Sequence, residues 1–215
     1  MILKIFFYGA LVTIPVFFIQ LGLSELLRQM QSFGIIGNST LTVEIIKWFL
    51  VIAFTEELFK YLVVRETVFK SGELDEPLDI MLYMVVGALG FAALENILYL
   101  FSPIDGLSFD MVLKTTITIS FIRFIGATFL HTLASALVGY FMALSSLRGK
   151  HRFRLTMLGM FLATFMHGLY NFSIMNFNYP FNIAIPILVI LGLTTFMVYD
   201  FDGIKKIKSI VNLNA

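Results

Sequence analysis

Residues 79–101 read Asp-Ile-Met-Leu-Tyr-Met-Val-Val-Gly-Ala-Leu-Gly-Phe-Ala-Ala-Leu-Glu-Asn-Ile-Leu-Tyr-Leu-Phe. No residue between Asp79 and Glu95 carries a charge. A helix needs about 20 mainly apolar residues to cross roughly 30 Å of hydrocarbon, whereas a helix on a soluble surface keeps a polar face. This stretch has no such face and is therefore predicted to span a membrane. Working outward, five further stretches meet the same requirement: 5–23, 41–64 with a continuation to 69, 125–147, 155–175 and 181–201. The first follows Lys4 and is not trailed by a small-x-small cleavage site, so it is expected to stay as an anchor. Segment 108–124 is shorter and more polar, holding Asp110, Lys114, Arg123 and several threonines. It is expected to form an interfacial or re-entrant helix feeding the fourth span. The predicted fold is an all-α, polytopic membrane helix bundle of about six transmembrane helices plus that extra helix, built as one domain over residues 1–215.

Composition agrees. Of 215 residues, 59% are hydrophobic and 13% are charged, against about 25% charged in a soluble domain. The mean hydropathy is +0.90. Too few charges are present to clothe a soluble enzyme, a nucleic-acid binder or a disordered chain. The chain has no cysteine, which removes disulfides, thiolate metal sites and cysteine catalysis.

The net charge of +1 is uninformative, but the distribution of basic residues is not. With six spans, Lys4, Arg65, Lys70, Arg148, Lys150, Arg152, Arg154, Lys205, Lys206 and Lys208 fall on one side, and Arg28, Lys47 and Lys114 on the other. Basic residues collect on the cytoplasmic face, so both termini are predicted cytoplasmic. Making 108–124 a seventh span would carry the basic cluster at 148–154 outside, against the bias.

An ionisable group inside a span costs roughly 2.5–3.5 kcal/mol on insertion scales. Four groups accept that cost. Glu56-Glu57-Leu58-Phe59-Lys60 lies in the second span. Lys60 is three residues from Glu57 and four from Glu56, so it can neutralise one carboxylate. The other is left beside a like charge in low dielectric, which suits a general acid or base. Phe91-Ala92-Ala93-Leu94-Glu95-Asn96 lies in the third span, where Gly87, Ala88, Gly90, Ala92 and Ala93 would let another helix approach closely. Arg123 and His131 are eight residues apart, about two turns along one helix face. His167-Gly168-Leu169-Tyr170-Asn171 places His167 and Asn171 one turn apart.

Each group alone has a packing explanation: a buried ion pair, a hydrogen-bonded acid, a snorkelling arginine, or an interhelical bond worth about 0.6–2 kcal/mol. Four such groups on four spans are most simply partners of one another, in the central-to-outer part of the membrane.

At these residues the sequence resembles the PrsW family of intramembrane proteases, distant relatives of the type II CAAX prenyl endopeptidases. The resemblance rests on Glu-Glu-x-x-Lys at 56–60, Phe-x-x-x-Glu-Asn at 91–96, Arg-x7-His at 123–131 and His-x-x-x-Asn at 167–171, in that order and in the right spans. It covers about 51–171, and Glu-Asn-Ile-Leu-Tyr-Leu at 95–100 strengthens it. Asn171 stands where members of the family can carry Asp. Either residue accepts a hydrogen bond, but a carboxylate ligand at that position is lost.

The resemblance implies endoproteolysis, at the extracytoplasmic side of the cell (plasma) membrane, of a membrane-anchored protein such as an anti-sigma factor. The partners are then that protein and the bilayer, with no nucleic acid. In this reading Glu56 or Glu57 activates water. Glu95, His131 and His167 position the water, protonate the leaving amine or hold a metal. Asn171 and Arg123 stabilise the oxyanion or orient neighbours, with Lys60 and Asn96 in support. The family is often classed with metalloproteases. Two histidines and a carboxylate, drawn from Glu95, His131 and His167, could bind zinc or another divalent metal with a position left open. A glutamate–histidine mechanism without metal suits the same residues.

Other intramembrane protease patterns are missing. There is no His-Glu-x-x-His and no Gly-x-Gly-Asp, although Tyr199-Asp200 is half of the aspartyl pair. Gly-x-Ser occurs only at 22–24, 37–39 and 106–108, at a span edge and in loops. A proton-coupled transporter or channel would also bury Glu, His and Arg, but the duplicated halves usual for one are not seen. A haem carrier ligated by His131 and His167 leaves the glutamate pair without a purpose. A CAAX-type endopeptidase and a non-catalytic relative are the remaining alternatives.

Overall fold

The computed structural model describes residues 1–37, 39–69, 71, 74, 76–101, 109–147 and 152–205, without the side chains of 109–120, 122, 123, 147, 152 and 200–205. Of the expected topology markers, Lys70, Arg148, Lys150, Lys206 and Lys208 lie outside the described residues. The described residues form α1 (Ile2–Ser32), α2 (Thr40–Ile45), a π-helical segment (Ile46–Phe54), α3 (Thr55–Val68), α4 (Pro77–Leu100), α5 (Phe109–Leu147), α6 (Arg152–Asn176) and α7 (Phe181–Lys205), with no strand among them.

All six predicted spans fall on helix. Among the described residues, four helical stretches are long and apolar enough to cross a membrane: Ile2–Ser32, Pro77–Leu100, Phe124–Ser146 and Phe181–Tyr199. The other two predicted spans, 41–64 and 155–175, carry the Glu-Glu-x-x-Lys and His-x-x-x-Asn groups, whose polarity dilutes them. The first of these is also interrupted by π-helix. Wider turns of this kind occur often at functional sites, and here they end two residues before Glu56.

One expectation is corrected. Segment 108–124 is not a separate interfacial or re-entrant helix: from Phe109 onward it is the first part of α5, a single helix of 39 residues. No proline or glycine lies between Phe109 and Ile125, so nothing interrupts the i→i−4 ladder despite Asp110 and Lys114. At 1.5 Å per residue α5 is about 58 Å long and outruns the hydrocarbon core. Ser108 lies outside the described residues. The start of α4 is fixed by Pro77 in the first turn and a capping box, with Asp79 accepting from the Glu76 N–H at 2.8 Å.

The small residues of α4 seat α1, as their spacing predicts. A Cβ on Gly90 would run into the Phe6 carbonyl oxygen, and one on Gly9 into that of Gly87. The Thr13 hydroxyl donates across this crossing to the Phe91 carbonyl at 3.3 Å. On its other side α4 packs along α5, where Gly139 meets Met81 and Met84. The molecule is inverted relative to a soluble protein. Leu3, Phe18, Phe161 and Leu188 are exposed, whereas Glu57, Lys60, His131 and His167 are among the most buried side chains. This distribution belongs to a helical membrane protein.

Candidate active site

Three helices beside α3 converge on Glu56 and Glu57. Adjacent residues on a helix point about 100° apart, and the two carboxylates accordingly face different neighbours. Glu57 is completely buried. Its Oε1 accepts from Lys60 Nζ at 2.6 Å and from His167 Nδ1 at 2.8 Å. Its Oε2 accepts from the Ser135 hydroxyl at 3.2 Å. Both oxygens are thus engaged, by α3, α5 and α6.

Lys60 also contacts His131 Nδ1 at 2.8 Å and lies over the Phe91 ring, 4.9 Å from its centroid. An ammonium can only donate. His131 Nδ1 is therefore the acceptor, and the ring proton is on Nε2, where it is donated to Glu95 Oε2 at 2.8 Å. The sequence Glu57, Lys60, His131, Glu95 is one continuous chain of hydrogen bonds from α3 through α5 to α4.

Glu56 turns toward α1 and the two histidines. Its Oε1 accepts from Gln20 Nε2 at 3.0 Å. Its Oε2 is buried and has no hydrogen-bond partner among the described residues. That oxygen stands 3.6 Å from His167 Nε2 and 3.8 Å from His131 Nδ1. The two imidazoles meet edge to face with centroids 5.0 Å apart. In the neutral ring, donation through Nδ1 to Glu57 leaves the Nε2 lone pair facing Glu56. An imidazole held by a carboxylate on one nitrogen and open on the other is the usual arrangement of a metal-ligating histidine.

The ligand atoms of Glu56, His131 and His167 all lie within 4.8 Å of one another. This set differs from the one grouped from sequence. Glu56 supplies the carboxylate, and Glu95 sits on the far nitrogen of His131. Since His131 Nδ1 already accepts from Lys60, Glu56 Oε2 and His167 Nε2 are the most open donors. Two imidazoles and a buried carboxylate whose outer oxygen has no hydrogen-bond partner among the described residues are ligand types that a divalent cation takes. The donor set therefore fits a metal.

Asn96 donates from Nδ2 to the Thr128 hydroxyl at 3.2 Å and ties α4 to α5 beside Glu95. Asn171 lies one turn beyond His167, half-buried, and makes no bond to the cluster among the described residues. Arg123 is on α5, eight residues before His131, and its side chain lies outside the described residues. Sequence reasoning missed two contributors. Ser135 carried a signal, being one turn from His131 on the same face. Gln20 carried a weaker one, as an amide within an otherwise apolar span.

The chain as a whole matches a known family. The family model described as PrsW family intramembrane metalloprotease matches residues 1–199. Among similar curated proteins, Protease PrsW of Oceanobacillus iheyensis is 28% identical over 191 residues, covering 89% of this chain and 78% of that protein. Protease PrsW of Shouchella clausii is 28% identical over 195 residues, covering 90% and 79%. Protease PrsW of Bacillus subtilis is 26% identical over 215 residues, covering 100% and 84%. No solved structure matches the chain. A buried Glu–His–His cluster inside an inverted helical bundle and a family match over almost the whole sequence lead to one conclusion: this chain belongs to the PrsW family of intramembrane metalloproteases and is a membrane-embedded protease.

Proposed function

We propose that the protein hydrolyses a peptide bond of a membrane-anchored protein, with Glu56 moving the protons. The observation that carries this reading is the buried Glu56 Oε2, without a hydrogen-bond partner among the described residues, between His167 and His131. Water attacks the scissile carbonyl carbon as Glu56 Oε2 takes one of its protons. The same carboxyl then returns the proton to the amide nitrogen as the C–N bond breaks, so no net proton is consumed. Glu57, held by three donors, fixes His167. Glu95 fixes His131, and Lys60 bridges the two halves.

If a divalent metal is bound, zinc being one candidate, Glu56 Oε2, His167 Nε2 and, on giving up its Lys60 bond, His131 Nδ1 would hold it, and it would polarise the carbonyl and stabilise the oxyanion; the proton-carrying role given to Glu56 is that of the metal-free site. This set takes the place of Glu95, His131 and His167 as the proposed ligands. Asn171 and Arg123 remain proposed auxiliaries on the same two helices.

An apolar groove of about 470 Å³ between the π segment and α6 supports an apolar substrate segment. Its lining includes Phe49, Phe165, Leu169 and Phe172, and Phe49 packs on Gly168, the neighbour of His167. The basic-residue bias supports a multi-pass topology with both termini cytoplasmic, and the family resemblance implies the plasma membrane and an extracytoplasmic cleavage such as that of an anti-sigma factor. The working unit is the whole chain, because α1 contributes Gln20 to a site whose sequence motifs begin at Glu56.

The test is cleavage of candidate single-span substrates by purified protein in lipid vesicles, with and without chelator. Loss of cleavage in both Glu56→Gln and His167→Ala, in protein that still folds, supports the assignment. Undiminished cleavage by both variants sinks it.

A further inference from the structure

Gln20 belongs to α1, a helix that none of the recognised motifs touches, yet its amide reaches into the site. Nε2 donates to Glu56 Oε1 at 3.0 Å and also approaches Thr55 Oγ1 at 3.3 Å and the Ile52 carbonyl at 3.5 Å. All three acceptors lie where the π segment passes into α3. The shortest contact is the one to the carboxylate, as expected for the charge-assisted member of the set. Thr55 can accept because its own proton goes to the Val51 carbonyl at 2.6 Å.

We propose that Gln20 is a positioning residue for the proteolytic reaction: by holding Oε1 of Glu56 it directs Oε2 at the two histidines. The proposal rests on the role given to Glu56 above. The terminal torsion of a glutamate is soft, with a broad and roughly two-fold preference. A carboxylate held at neither oxygen would sample many orientations. Glu56 is held at one, and the other is thereby left 3.6 Å from His167 Nε2 and 3.8 Å from His131 Nδ1. The donor is itself well anchored. α1 is locked onto α4 where Gly9 and Gly90 admit backbone contact and Thr13 bonds the Phe91 carbonyl. Gln20 is seven residues further on, about 10 Å along the same helix.

A purely structural interhelical bond would predict a different pattern of effects. Removing it would lower stability slightly and affect activity only through folding. A positioning role predicts that turnover falls while substrate binding and stability hold.

The experiment uses the full-length protein in lipid vesicles and compares wild type, Gln20→Met and Gln20→His. Methionine keeps the length and removes the donor; histidine restores an N–H at similar reach. Three quantities are measured: the melting temperature, kcat and KM on a single-span substrate, and the δ-carbon NMR signal of Glu56 in glutamate-labelled protein. That signal is assigned by its loss in Glu56→Gln. The expected result is a displaced Glu56 signal in Gln20→Met, with kcat lowered roughly 10- to 100-fold. KM and melting temperature stay unchanged, and Gln20→His recovers part of the turnover. An unmoved Glu56 signal overturns the proposal whatever the kinetics. A displaced signal with kcat within twofold of wild type overturns the positioning role. Equal losses in Gln20→Met and Gln20→His that track a fall in melting temperature reduce the bond to helix pairing and overturn it too. A wild-type protein inert toward every single-span substrate, with the signal displaced in Gln20→Met, overturns the reading of Glu56 and the catalytic half of this proposal together.

Discussion

Glu57 Oε1 holds Nδ1 of His167 at 2.8 Å, and the opposite nitrogen of the same ring stands 3.6 Å from Oε2 of Glu56. Two glutamates adjacent in sequence therefore meet one imidazole from its two ends. Glu57 fixes the ring, and Glu56 shares the space the ring faces.

This division of labour predicts different phenotypes. Glu56→Gln removes the proton acceptor but keeps the amide oxygen available to Gln20. Its kcat is expected to fall by about 10²- to 10⁴-fold, with little change in melting temperature. Glu57→Gln takes the counter-charge from a fully buried Lys60. It is expected to lose about 3–5 kcal/mol of stability as well as activity. Thermal unfolding beside a cleavage assay separates the two. A Glu57→Gln protein as stable as wild type would contradict the arrangement.

The same logic applies from the other side of the pair. Lys60→Met strands Glu57 and removes the donor to His131 Nδ1, so a loss of about 3–5 kcal/mol is expected. In the double variant Lys60→Met with Glu57→Gln neither member of the pair is left stranded by loss of the other. Most of the stability should return, because methionine fills the same volume against Phe91, while activity stays absent. Strict additivity of the two single losses in the double variant would show that the pair is not coupled.

The ligand set can be tested by metal affinity, without reference to cleavage. Glu56→Ala and His167→Ala are expected to abolish tight binding of a divalent cation, measured by calorimetry on chelator-stripped protein. Glu95→Ala and Glu57→Gln act one bond further out and should weaken binding by about 10- to 100-fold. Retention of full affinity in Glu56→Ala with loss in Glu95→Ala would restore the grouping suggested by sequence.

How much of this was readable beforehand depends on charge. Glu57, Lys60, Glu95, His131 and His167 stand out because each is expensive in an apolar span, and helical spacing offers Lys60 to either Glu56 or Glu57 without choosing between them. Spacing along one helix does not say which of two adjacent carboxylates faces which neighbour. That was decided by α1 on one side and by α5 and α6 on the other. For the same reason Glu95 was grouped with the histidines as a ligand, although the ring of His131 lies between Glu95 and the others. Gln20 is passed over because an uncharged amide has no titratable chemistry to single it out in a span. Polarity also misled at 108–124, where Asp110 and Lys114 suggested a separate element. A helix ends where its backbone ladder is broken, not where its surface turns polar.

The neighbour of His167 offers a final test of how tightly the site is supported. Gly168 leaves no room for a side chain. A Cβ there would lie 2.6 Å from Cδ1 of Phe49, whose ring also packs against Phe165 and Phe172. Gly168→Ala must therefore displace Phe49 and the π segment that carries it, or move His167 away from Glu57. Overpacking of this kind costs about 1–3 kcal/mol, and a shift of about 1 Å at His167 would lower kcat by roughly 10²-fold. Trimming the obstructing ring in the double variant Gly168→Ala with Phe49→Leu should restore most of both quantities. Phe49→Leu alone should cost only packing. If Gly168→Ala is as stable and active as wild type, the π segment gives way freely, and the close contact with Phe49 does not hold His167 in place.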